Sequence, residues 1–106
     1  MDFKYKVILS EKASRQIDAI YQYISENLQS DKAAKALMAK IKKNLVYLET
    51  APHIFPLSKI KGCRKCLVDN YLVFFEIDES AKEIHIVAAY HGSQDYLAIF
   101  LIEKIA

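Results

Sequence analysis

A chain of 106 residues, 53% hydrophobic and 26% charged, has the length of one small domain and can bury a core without a disulfide framework or a metal. Two glycines, two prolines and no low-complexity segment or internal repeat exclude a disordered or fibrous chain. A net charge of +2 does not by itself argue for nucleic acid, but Lys59, Lys61, Arg64 and Lys65 fall close together with no acid among them.

The first residues, Met1 to Lys6, hold no apolar run that could serve as a signal peptide. Tyr5 to Leu9 is short and β-branched, which predicts a first strand, and Ser10-Glu11 directly after it is a helix start. Ala13, Ile17, Ile20, Tyr21, Ile24 and Leu28 then fall on one helical face, with Glu11, Lys12, Arg15, Gln16 and Gln22 on the other. The pattern breaks over Asn27 to Ser30, and Ser30 or Asp31 is placed to cap a second helix. In that helix Ala34, Leu37, Met38, Ile41, Leu45 and Leu48 share a face opposite Lys32, Lys35, Lys42 and Lys43, a row that reads as its wet side. Pro52 ends it, because proline disfavours helical angles in the residue before it.

Two helices with one apolar stripe each, joined by a short break, predict an antiparallel hairpin laid on a sheet. The sheet is expected from Arg64 to Val68, Tyr71 to Asp78 and Glu83 to Tyr90, connected through Asp69-Asn70 and through Asp78 to Lys82. Ile17, Ile24, Met38, Ile41 and Leu45 are expected to face it, with Phe74 or Phe75 in the core. Strict alternation puts Ile84, Ile86, Ala88 and Tyr90 on one face of the last strand, and His85, Val87, Ala89 and His91 on the other. The tail from Asp95 to Lys104 can form a short helix; its apolar run, Tyr96 to Ile102, is too short to span a bilayer, so the cytoplasm is the expected location. The fold class is α+β in the order β-α-α-β-β-β, a single domain over residues 1–106.

Cys63-Arg64-Lys65-Cys66 invites a metal or redox reading. No second pair of ligands is spaced to complete a zinc site, and an odd separation on one strand points the thiols to opposite faces. Neither a metal nor another cofactor is expected.

The element order, Arg64-Lys65-x-Leu67 running into a tight hairpin, Asn70-Tyr71-Leu72-Val73-Phe74-Phe75, and a strand closing on His91-Gly92-x-x-Asp95-Tyr96 together resemble the RelE/ParE toxins of bacterial toxin–antitoxin modules. The resemblance covers nearly the whole chain and implies a growth-inhibiting toxin held in check by a cognate antitoxin protein. Ribosome-dependent members cut messenger RNA by attack of a 2′-hydroxyl on the adjacent phosphorus. That reaction needs a proton acceptor, cations on the phosphorane and a proton donor.

On this resemblance Arg64 and Lys65 would stabilise phosphate, His91 would act as acid or base, Tyr96 would position, and Lys59 and Lys61 would bind RNA. The chain also departs from the RNA-cutting pattern. A family lysine falls at Cys63, two arginines at Leu72 and Gln94, and a tyrosine at Phe100, so an unaltered copy of the RelE site is excluded. ParE-like members lack the nuclease residues and act on DNA gyrase. The resemblance therefore favours a metal-independent endoribonuclease acting on mRNA at the ribosome, with a non-enzymatic gyrase inhibitor as the runner-up and an inactive partner-binding relative as the third reading. The residues have bland readings too: Arg64 and Lys65 as a solvated sheet edge, His91 as an ordinary strand-end histidine, and Tyr96 as the start of packing in the C-terminal segment.

Overall fold

The computed structural model of the chain describes residues 4–105. A short strand β1 (Lys6–Leu9) leads into α1 (Glu11–Gln22), a π-helical turn (Tyr23–Asn27) and α2 (Asp31–Thr50). A 3-10 turn (Pro52–Ile54) follows, then β2 (Arg64–Val68), β3 (Tyr71–Asp78), β4 (Glu83–His91) and α3 (Tyr96–Ile105). The sheet order is β1-β4-β3-β2, with β2–β3 and β3–β4 antiparallel and β1 parallel to β4. The element order is the expected one, and the tail forms its helix.

Both long helices begin where the sequence supplies a cap. The Ser10 and Ser30 hydroxyls accept from the amides of Ala13 and Ala33, at 3.0 and 3.1 Å, satisfying one orphan donor in each first turn. The helical face expected from Ala13 to Leu28 is continuous but changes pitch, since α-helix gives way to the π-helical turn at Tyr23. Gln29 then takes a left-handed φ of 50°, which reverses the chain into α2.

The α1–α2 hairpin buries Ala13, Ile17, Ile24, Ala34, Leu37, Ile41 and Leu48 against Cys66, Val73, Phe75, Ile84 and Ile86 of the sheet. Met38 and Leu45 sit at the margin of this core, half-buried. Phe74 and Phe75 are both fully buried, and they belong to different cores. Phe74 points to the opposite face, where Ile60, Cys63, Ala88 and Tyr90 surround it and Tyr96, Leu97, Ile99 and Phe100 of α3 close over it. The molecule is thus three-layered, and β3 is apolar on both faces because both are covered. The cysteines follow the expected division: Cys66 lies in the hairpin core and Cys63 in the α3 core, both as free thiols.

The strict alternation expected along β4 does not hold. Phe75 pairs with Ile86 while Phe74 pairs with Ala88, so Val87 is an extra residue, a β-bulge. Ile84 and Ile86 face the hairpin, yet beyond the bulge it is Ala89 that does so, while Ala88 and Tyr90 turn to α3. A one-residue slip exchanges the faces of everything after it. The bulge lies where β1 runs out, because the last β1 pairing is Leu9 with Ile86.

From there α1 takes over the free edge of β4. The Ser10 amide donates to Ile86 O at 3.0 Å and its hydroxyl to Val87 O at 3.2 Å, while Gln16 Oε1 accepts from the Ala89 amide at 2.8 Å. The second core is tied to the first helix as well. Tyr90 donates its hydroxyl proton to Glu103 at 2.6 Å, and Lys12 pairs with Glu103 at 3.1 Å while lying 4.7 Å from the centre of the Phe100 ring.

Two measurements follow from this architecture. Ser10→Ala removes a helix cap and orphans the Val87 carbonyl together, so it should lower the unfolding free energy by about 2 kcal/mol in urea denaturation. Burial pushes both thiols from 9.0 up to about 11, with the Glu76 carboxylate adding to the effect at Cys63. Neither cysteine should then react with iodoacetamide at pH 8 in the native protein, and both should react in urea. Because the unfolded chain loses these protons first, stability should fall as pH rises from about 9 towards 11.

Candidate functional site

The residues that the family pattern marks out lie at the ends and edges of the sheet. Arg64 opens β2 opposite Phe75 and shares its face, the hairpin side, where the guanidinium donates to Phe55 O at 2.7 Å. This bond anchors the α2–β2 connection. Lys65 pairs with Phe74 and so lies on the α3 side, while its amide bonds Pro56 O along the edge. Tyr96 starts α3 on that same side, its ring 5.0 Å from that of Phe74.

His91 ends β4 opposite Tyr71, on the hairpin side and four β3 positions from the residue that pairs with Arg64. At strand rise that is about 13 Å. Lys59 and Lys61 are exposed on a tight loop whose intervening residue, Ile60, plugs the α3 core. The Ser58 hydroxyl braces that loop by accepting from the Ile60 amide at 3.1 Å and donating to Cys63 O at 2.9 Å. Lys65 and Tyr96 therefore flank one phenylalanine, whereas Arg64 and His91 lie on the other side of the sheet and apart from each other.

The bulge at Val87 decides where His91 points. With the phase shifted, His91 lies over a groove of about 950 Å³ between the hairpin and the end of the sheet, lined by Tyr23, Leu28, Leu37, Asn70, Tyr71 and Gln94 among others. Tyr71 meets the imidazole edge-on at 5.1 Å, and Nδ1 lies 2.6 Å from the Ser93 hydroxyl. The Gln94 side chain accepts from the His91 amide at 2.9 Å, and the Gly92 amide donates to Asn70 O at 2.7 Å. A Cβ at Gly92 would come 3.2 Å from that same oxygen, which explains a residue without one at this turn.

Burial, with Tyr23 adding, raises the Tyr71 phenol above its ordinary value and keeps it neutral. The carboxylates at the groove are engaged: Asp69 pairs with Lys40 at 3.1 Å, and Glu103 is held below the usual carboxylate range by its hydrogen bond from Tyr90, with Lys12 beside it. Among the described residues the groove lining is aromatic in part, with one imidazole and no lysine or arginine. Tyr23 and Tyr71 were not singled out as site residues from the sequence. The available signal was Tyr23, a large aromatic on the polar side of α1's stripe, which is half exposed on the π-helical turn.

The four positions at which the chain departs from the RNA-cutting pattern have a different fate here. Cys63 is buried in the α3 core, and Leu72 and Phe100 pack against it. Gln94 uses its side-chain oxygen to hold the His91 backbone. Three of the four altered positions thus supply apolar contacts to one core.

A family model described as the ParE toxin of the type II toxin–antitoxin system parDE matches residues 7–96. No curated protein matches the chain. Among solved structures, the chromosomal ParDE toxin–antitoxin system from P. aeruginosa has a chain 19% identical, with a TM-score of 0.72 over 84% of this chain and 97% of that one. A free-state mutant of E. coli toxin RelE superposes with a TM-score of 0.62 at 12% identity, covering 97% of this chain and 99% of its own. A chain of the RelBE2 toxin–antitoxin complex from Mycobacterium tuberculosis gives 0.59 at 16% identity, over 83% and 98% of the two chains. At these identities the structures speak for a shared fold; the match of sequence to family over residues 7–96 says more, and by it the chain belongs to the ParE toxins of type II toxin–antitoxin systems.

Proposed function

We propose that this toxin arrests growth by binding DNA gyrase, without cutting RNA, and that a cognate antitoxin protein neutralises it by binding. The observation that carries the reading is the α3 core. Where the resemblance to the nucleases of this superfamily would place a lysine, an arginine and a tyrosine, this chain gathers Cys63, Leu72 and Phe100 around Phe74. A phosphorane needs several fixed positive charges in a dry site. Arg64 is bonded to Phe55 O on the hairpin side, and Lys65 lies across the sheet from it.

The antitoxin part of the reading draws on relatives, since the chains it resembles include members of ParDE and RelBE toxin–antitoxin systems. A second reading, the mRNA endoribonuclease acting at the ribosome, has one observation in its favour: Lys65 and Tyr96 adjoin the same ring, Phe74, on one face. In that reading His91 would transfer protons, and Lys59 and Lys61 would steer RNA.

Inducing the chain alone should stop colony formation, with thymidine incorporation falling before amino-acid incorporation. The purified chain should inhibit gyrase supercoiling, and co-expression of the small protein encoded beside it should restore growth. Primer extension should show no new mRNA ends, and neither His91→Ala nor the Arg64→Ala, Lys65→Ala pair should relieve the arrest. New ends within translated regions that disappear in His91→Ala would favour the nuclease instead; loss of general acid–base catalysis costs ~10² to 10⁴ in rate, well within such an assay's reach.

A further inference from the structure

At the outer end of the β3–β4 hairpin the ladder pairs Asp78 with Glu83 and Glu76 with His85. All four side chains share one sheet face, because residues two apart on a strand point the same way. Asp78, Glu83 and His85 are half-buried, and one donor atom from each lies within 4.8 Å of the other two. His85 Nε2 and Glu83 Oε1 are 3.1 Å apart. Directly opposed like charges such as Asp78 and Glu83 destabilise a ladder.

The Asp78 side chain is fixed by the Ala81 amide at 3.1 Å and the Ser80 hydroxyl at 2.9 Å, which hold its carboxyl below the usual range and keep it an ionised acceptor. A depression of about 630 Å³, lined by Glu76, Asp78, Ser80 and His85 among others, opens beside the cluster.

We propose that Asp78, Glu83 and His85 bind a divalent transition-metal ion, zinc by the chemistry of the donors, at the tip of this hairpin. Zinc takes imidazole nitrogen and carboxylate oxygen at 2.0–2.2 Å, so tetrahedral donors stand about 3.4 Å apart. The His85–Glu83 pair, 3.1 Å apart, lies close to that spacing, and both hydrogen bonds that fix Asp78 go to Oδ1, so Oδ2 is outside them. An imidazole among the donors favours zinc over magnesium and calcium, which prefer all-oxygen shells. Three protein ligands leave a fourth position for water or for a side chain of a bound protein.

The other histidines are differently engaged. His53 bonds Glu79 at 2.7 Å, but that carboxylate also takes the Tyr5 hydroxyl and Lys82, and His91 leans on Ser93. The site bridges β3 to β4 and involves neither the groove nor the α3 core, so it stands whichever target the toxin has.

The test is isothermal titration of the full, chelator-treated chain with zinc chloride, with magnesium chloride as the comparison. One zinc ion per chain is expected. His85→Gln, and separately Asp78→Asn with Glu83→Gln, should weaken binding at least tenfold, as losing even an outer-shell partner costs 10–100-fold. Wild-type imidazole NMR signals, followed during the same titration, should shift for His85 and stay in place for His53 and His91. This arm needs no variant to fold. Absence of saturable zinc binding, binding that survives His85→Gln, shifts at another histidine, or equal affinity for magnesium would each overturn the assignment.

Discussion

The constraint on which the rest of the molecule depends is the handover at residue 86, where β1 ends and β4 continues alone along that edge. An unpaired backbone edge near the core must find partners, since each buried donor or acceptor left bare costs about 1–3 kcal/mol. Ser10 meets this demand twice, through its amide to Ile86 and its hydroxyl to Val87, and Gln16 completes it at Ala89. The same hydroxyl accepts from Ala13 and starts α1. Helix nucleation, strand termination and the bulge are thus joined at one serine. From the bulge follow the face of His91, the opening of the aromatic groove and the turn of Ala88 and Tyr90 towards α3.

The second core changes what the sheet can do chemically. A face that is open and cationic can hold a phosphodiester; a face filled by Phe74, Tyr90, Leu72 and Phe100 under a helix offers shape and apolar area. A small domain with both sheet faces covered presents mainly its rims to partners. Here the rims carry distinct chemistry: exposed lysines at the α2–β2 loop, an aromatic groove at one end of the sheet, and carboxylates with an imidazole at the other.

The layers were legible because apolar periodicity survives burial. Ile17, Ile24, Leu37 and Ile41 mark the hairpin, Phe74 and Phe75 mark a strand covered on both sides, and Cys63 and Cys66 divide between the faces as their spacing requires. The bulge was not legible, since Val87, Ala88 and Ala89 are all small or apolar and either phase of alternation fits them; only pairing with β3 distinguishes the two. That single slip is why His91 was expected beside Val87 and instead shares a face with Ile86. The groove was equally hidden, because Tyr23 and Tyr71 open two elements far apart in the chain, the π-helical turn and β3, and no local spacing links them. Family landmarks told which positions to inspect, while the burial of Cys63, Leu72 and Phe100 depends on α3, whose docking no strand pattern encodes.

The parallel pairing of β1 with β4 also sets a timetable. Ser10 reaches for Val87 across 77 positions of chain, so the first strand of the sheet must wait for its fourth. At synthesis rates of about 5–20 residues per second the wait is roughly 4–15 seconds. Contacts so distant in sequence are slow to form because a long loop must close before they contribute. Until then α1 and α2 have no sheet to cover, and the nascent chain exposes the stripe that later becomes its core. The nascent chain is therefore first a sticky helical hairpin, and its finished surface exists only once β4 has been made.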